Sequence, residues 1–176
     1  MLQVRDGEVE GLGILFERHH GKLFNFLVRL TDRWDVGEDL VQEVFFRILK
    51  YRHTFRGDAP FAAWMYQMAR NAAADYFRKW KEDPTTHETL EQHETHDPSA
   101  SEMMEHIEKN SLLHLALSKL SLEKKEVLVL SRFQGMKYDE IAAVLNCPVG
   151  TVKARVHFAL KDLRTIYLNL SEEAVL

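Results

Sequence analysis

Tyr138-Asp139-Glu140-Ile141-Ala142-Ala143-Val144-Leu145-Asn146-Cys147-Pro148-Val149-Gly150-Thr151-Val152-Lys153-Ala154-Arg155-Val156 reads as two helices joined by a tight turn. Ile141, Ala142 and Leu145 share one face of the first helix, Val152 and Val156 one face of the second, so the pair packs as a helix-turn-helix. Asn146-Cys147 makes the turn, and Pro148 stands where a first-turn proline is tolerated. The small residues Ala142, Gly150 and Ala154 around the turn permit close approach. This packing leaves Thr151, Lys153, Ala154, Arg155 and His157 toward the exposed side, where a recognition helix presents its N-terminal residues to the major groove. Arg and Lys there reach guanine edges or phosphates. The alternative is a plain helical hairpin with a solvated basic face.

Outward from that motif, the chain is patterned as helices throughout. Leu12, Leu15, Phe16, Leu23, Phe26, Leu27 and Leu30 recur at three- and four-residue steps up to Thr31. Asp35 followed by Glu38 resembles an N-capping box opening a second stripe, Leu40, Val41, Val44, Phe45, Ile48 and Leu49, to about Tyr51. Arg56-Gly57-Asp58-Ala59-Pro60 breaks the chain before a third helix, from Phe61 to about Lys81. Past the centre, Met104, Ile107, Leu112, Leu115 and Leu117 mark one helix. Leu122, Val127, Leu128, Leu130 and Phe133 mark another, with Gly135 as its C-cap. The last helix runs to about Leu170. The expected fold is all-α: an N-terminal domain over 1–81, a flexible linker over 82–103, and a C-terminal helix-turn-helix domain over 104–176.

The linker reading rests on composition. Residues 82–101 carry Pro84, Pro98 and many acids and histidines, with almost nothing apolar but Leu90. It also explains the charge. The net charge of −4 argues at first sight against a nucleic-acid partner. Residues 1–80 hold 12 Lys and Arg against 11 Asp and Glu, residues 81–110 hold 2 against 9, and residues 111–176 hold 9 against 7. The acidity is central, and charges beyond about 8 Å are largely screened in physiological salt, so local patches decide contact.

Three further features bear on function. On the third helix, Trp64, Tyr66, Tyr76, Phe77 and Trp80 interleave with Arg70, Asn71, Arg78, Lys79 and Lys81. Unpaired bases stack on aromatic faces for about 1–3 kcal/mol each while cations hold the backbone, so this set suits single-stranded DNA. The competing reading makes Trp64, Met68 and Tyr76 simply core. On the second helix, Asp39, Gln42, Glu43 and Arg47 form a polar face whose default reading is solvation. Finally, His87, His93, His96 and His106 lie in or beside the acidic segment, but their spacing suits no closed zinc site, and we expect no metal and no cofactor. No nucleophile elbow or phosphate-binding loop occurs, so no catalysis is expected. The single Cys147, the lack of a signal peptide and the lack of a run of roughly 20 apolar residues fit a cytoplasmic protein.

Three blocks then carry a resemblance: Asp39-Leu40-Val41-Gln42-Glu43-Val44-Phe45; Trp64-Met65-Tyr66-Gln67-Met68-Ala69-Arg70-Asn71 with Asp75 and Arg78; and Gly150-Thr151-Val152-Lys153 with Arg155. In order and spacing they are similar to the extracytoplasmic-function (ECF) class of bacterial RNA polymerase sigma factors, from about Leu12 to Leu170. The resemblance implies a partner, core RNA polymerase, with Asp39, Gln42, Glu43 and Arg47 docking on the β′ clamp helices and further contact to the β subunit. It implies that the loop from Arg52 to Pro60, including Arg56, and the helix bearing Trp64, Arg70, Asn71, Asp75, Arg78 and Lys79 capture the minus-ten element. Promoter DNA at minus thirty-five would fall to Thr151, Lys153, Ala154, Arg155 and His157, with Arg132 and Lys137 on phosphates. It also implies an anti-sigma factor, of a kind often anchored in the inner membrane. Ala154, Phe158 and Leu160 depart from the class, which often has a Ser and two Arg there. A different-class alternative is a stand-alone helix-turn-helix regulator whose N-terminal helices sense a ligand or dimerise.

Overall fold

The computed structural model describes residues 1–82 and 111–173. The order is α1 (Leu2–Arg5), α2 (Gly11–Thr31), α3 (Trp34–Lys50), a 3-10 turn (Arg52–Thr54), α4 (Phe61–Glu82), α5 (Ser111–Ser118), α6 (Leu122–Leu128), one π-helical turn (Val129–Phe133), α7 (Tyr138–Leu145) and α8 (Val149–Glu173). There is no strand among the described residues, as the patterning requires. The proposed linker beyond Glu82, and Met104 and Ile107 of the expected fourth helix, lie outside them.

The N-terminal core is the apolar stripe of α2 set against those of α3 and α4. Leu23, Phe26 and Leu27 of α2, Ile48 of α3 and Met65 of α4 are fully buried, each worth about 1.5–3 kcal/mol of burial. Gly37 lets α3 lie close on α2: a Cβ there would stand 2.5 Å from Val28 Cγ2. Asp32, in the left-handed region at φ 58°, ends α2 by donating its N–H to Val28 O at 2.8 Å.

Three expectations are corrected. The capping box at Asp35 and Glu38 does not form. α3 begins at Trp34, Asp35 takes the Arg33 guanidinium, and Glu38 accepts from Trp34 Nε1 at 3.2 Å. The first-turn carboxylate still opposes the positive helix end, without being the cap. A fourth N-terminal helix, α1, packs the buried Val4; four residues are too few for periodicity to mark. The helix expected to run through Phe133 is regular only to Leu128. It widens into the π turn, where Gln134 N–H bonds Val129 O at 3.0 Å, before Gly135 reverses the chain at φ 66°.

The helix-turn-helix forms as read. Ile141, Leu145, Val152 and Val156 are buried in one cluster, with Ala142 half-buried beside them. Asn146 turns at φ 50°, Cys147 N–H bonds Ala142 O at 3.1 Å, and Pro148 O accepts from Thr151 and Val152 as α8 begins. From Lys125 on, α6 and the start of the π turn are covered on every side: residues 125–130 are all buried, because α8 covers one flank and the N-terminal helices the other. α4 packs on α7, and α2 on α5, α6 and the π turn, so both halves share one core.

Candidate nucleic-acid and polymerase surfaces

On α4 the residues expected to meet DNA separate into three groups. Asn71, Arg78 and Lys79 are exposed and fall on one face with the half-buried Asp75. Trp64 is half-buried, packed on Phe55 (5.3 Å between ring centres) and near Phe61 (6.3 Å). It anchors the loop ahead of α4, in which Phe55 is buried, Arg56 is exposed and Gly57 adopts φ 80°. Arg70 points elsewhere, its Nε lying 2.8 Å from Glu126 Oε1 on α6. Tyr66, counted among the aromatic set, is core: it lies edge-on to Phe26 at 5.2 Å and donates its hydroxyl to Gln134 Oε1 at 2.8 Å. Burial pushes its phenol well up, so it stays a donor.

The polar face of α3 is continuous with this surface. Asp39 and Gln42 are exposed. Glu43 Oε1 holds Arg47 Nε at 2.6 Å, Arg47 Nη1 lies 3.0 Å from Asp75 Oδ2, and Asp75 Oδ1 accepts from Arg78 at 2.9 Å. Hydrogen bonding from Arg47, ahead of its charge and that of Arg78, outweighs burial and holds the Asp75 carboxyl below its ordinary value. Asp75 thus ties α3 to α4 and orients two arginines. Sequence reading missed Phe46, 60% exposed and one i+7 step from Asp39 on the same face. The signal was the pair Phe45-Phe46, since neighbours on a helix point about 100° apart and only one can enter the core.

On α8, Lys153, Ala154 and His157 are exposed, while Thr151 and Arg155 are half-buried. Arg132 and Lys137 are exposed at either end of the bend between α6 and α7. Glu140 Oε2 accepts the Lys137 N–H at 2.9 Å, fixing the start of α7. Phe158 is 56% exposed. Sequence reading also missed Lys125 and Glu126, each only 5% exposed. Their positions three and four residues ahead of the buried Leu128, Val129 and Leu130 were the available sign that they share a buried face. Among the described residues no group of three or more His, Cys, Asp or Glu is placed to hold a metal, and no helix is long and apolar enough to cross a membrane. His87, His93, His96 and His106 lie outside the described residues.

An all-helical chain that sets a basic helix-turn-helix behind a helix of mixed aromatic and basic residues has the architecture of a two-part DNA-binding protein. Residues 15–82 match the model of Sigma-70 region 2, and residues 111–163 that of Sigma-70 region 4. The RNA polymerase sigma-H factor of Pseudomonas aeruginosa is 26% identical over 98% of this chain and 94% of its own. The ECF RNA polymerase sigma-E factor of Haemophilus influenzae is 28% identical over 88% and 86%. In fold, the chain resembles CnrH, solved with the cytosolic domain of CnrY (TM-score 0.70, 24% identity, 94% and 92% covered). It also resembles the sigma factor RpoE of Bartonella quintana, solved with the anti-sigma factor NepR (0.67, 22%, 92% and 96%). The chain belongs to the ECF class of sigma-70-type RNA polymerase sigma factors. It directs transcription initiation, and its family is not enzymatic.

Proposed function

We propose that this sigma factor docks on core RNA polymerase through the face of α3 and divides the promoter between its halves. Asp39, Gln42, Glu43 and Arg47, with Phe46 as an apolar anchor, meet the β′ clamp helices; aromatic residues in such patches carry a large share of binding energy. The loop bearing Arg56 and the face of α4 with Asn71, Asp75, Arg78 and Lys79 take the unpaired minus-ten strand. Thr151, Lys153, Ala154, Arg155 and His157 read the minus-thirty-five duplex, while Arg132 and Lys137 hold phosphates. The observation that carries this division is the ion-pair chain Glu43–Arg47–Asp75–Arg78, which makes one continuous surface of the α3 and α4 faces. With Phe158 and Leu160 in place of cations, fewer phosphate contacts remain, which lowers general affinity more than sequence readout. The domains span 1–81 and 104–176, and the protein works in the cytoplasm. The Bartonella quintana relative binds an anti-sigma factor, and we extend such a partner, including a membrane-anchored one, to this chain.

Run-off transcription with purified core polymerase and fragmented host DNA tests the reading. The expected result is discrete new start sites sharing two spaced motifs. Duplex binding that persists without polymerase, with no new starts, overturns it in favour of a stand-alone regulator. Within that assay Asp39→Arg should weaken polymerase binding. Asn71→Ala should impair open-complex formation while leaving polymerase binding intact. Arg155→Ala should cost about 1–3 kcal/mol on minus-thirty-five DNA.

A further inference from the structure

Val4 fixes α1 to the body of the N-terminal half. It is buried against the start of α2, where a Cβ on Gly11 would come within 3.1 Å of its Cγ2, and the Glu8 N–H bonds Gln3 O at 2.9 Å in the turn that follows. Leu2 and Arg5, three residues apart, share a different face of α1, and that face meets the loop leading into α4. Leu2, 48% exposed, rests on the loop backbone at Gly57: a Cβ there would stand 2.9 Å from Leu2 Cδ2. Asp6 grips the Arg5 guanidinium by two hydrogen bonds, Nε to Oδ1 at 2.6 Å and Nη2 to Oδ2 at 3.1 Å. That leaves Arg5 Nη1 turned toward Phe55 O, at 3.5 Å.

The loop has little regular structure of its own. It holds one 3-10 turn, Arg52–Thr54, and the buried Phe55 against Phe61 and Trp64; Arg56, Gly57 and Asp58 are exposed. A loop that receives a base binds more tightly if its shape is set beforehand, because ordering it on contact subtracts from affinity. We propose that α1 is a positioning element of the minus-ten reader, in which Leu2 and Arg5 hold the backbone of residues 55–57 in the shape that receives an unpaired base. The inference rests on the reading of this loop as a minus-ten contact. Arg5 acts at the residue before Arg56 and Leu2 at the residue after it, so the two contacts bracket the loop's exposed arginine. Neither Leu2 nor Arg5 has to touch DNA to serve this role.

Hydrogen–deuterium exchange of the full chain tests the hold, and open-complex formation by the polymerase holoenzyme tests its use. The double variant Leu2→Ala with Arg5→Gln changes two partly exposed side chains and leaves Val4 in place, so its melting temperature and polymerase affinity should match wild type. Amide exchange over residues 52–58 should quicken by about tenfold while α2, α3 and α4 keep their protection. On a promoter fragment recovered by run-off transcription, open-complex formation should slow by about tenfold, as it would if the receptive loop fell to about a tenth of its population. Abasic sites placed singly through the minus-ten strand of that fragment then separate positioning from a general loss of stability. At the position of the captured base the variant and wild type should open at the same rate, whereas a merely destabilised protein would lag at every position. Unchanged exchange overturns the hold. Faster exchange with a wild-type opening rate, or an equal lag at every abasic position, overturns the role in promoter opening. Arg56→Ala distinguishes failure of the parent reading: if it also opens DNA like wild type, the loop is no minus-ten contact, and if it alone is slow, only the role of α1 falls.

Discussion

Asp75 lies a third exposed between two arginines, accepting from Arg47 across the α3–α4 junction and from Arg78 one turn along its own helix. Those bonds depress its carboxyl below the ordinary 3.8. A group depressed on folding contributes stability above its unfolded pKa and loses it as pH falls through the folded one. The contribution is small because water screens the pair. Asp75→Asn should therefore lower the melting temperature by about 1–3 °C at pH 7, and the gap to wild type should close below about pH 3. Thermal melts at the two pH values check this, and an equal gap at both refutes the ion-pair account. The same variant bears on function. With Arg47 and Arg78 no longer held by a carboxylate, both polymerase binding and minus-ten capture should weaken together, whereas Asn71→Ala should affect only the second.

At the scale of elements, α2 and α3 meet where Gly37 has no side chain. Alanine there would raise intrinsic helix propensity by about 1 kcal/mol, yet its Cβ would fall 2.5 Å from Val28 Cγ2, a stiff β-branched group in a packed core. Overpacking costs about 1–3 kcal/mol, so Gly37→Ala should destabilise by about 1 kcal/mol net. Adding Val28→Ala should recover much of the loss, as urea titrations of the single and double variants would reveal. What the sequence made legible follows the same physics. Stripes of period 3.6 located α2, α3, α4 and α8 to within a residue or two at the start, because burial on one face writes itself into spacing. The Val127-Leu128-Val129-Leu130 run carries no such phase. It is apolar all round, and it hid both the π turn and the fact that residues 125–130 are covered on every side. The helix-turn-helix core was legible from Ile141, Leu145, Val152 and Val156, which lie near one another in sequence. The partner of Lys125 was not, since Asp32 stands 93 positions away and only the fold joins them.

For the molecule as a whole, the question is whether the halves behave as one body in the absence of polymerase. Their shared surface includes Tyr66, the α4–α7 packing and two cross-linked charges, all of which must be lost before either half can unfold alone. Coupling of that kind predicts coincident transitions. The chain supplies a clean probe, because its three tryptophans, Trp34, Trp64 and Trp80, all lie in α3 and α4, so fluorescence follows the N-terminal half while helical circular dichroism follows both. In guanidinium the two signals should trace one curve for wild type. For Arg70→Gln they should part, with circular dichroism showing a second transition that fluorescence does not see. Two separate transitions in the wild type would mean that the interface is too weak to hold the halves together. A single curve for both proteins would place the coupling in the apolar contacts of Tyr66 and α7, and the charged pairs would then set only how the halves align.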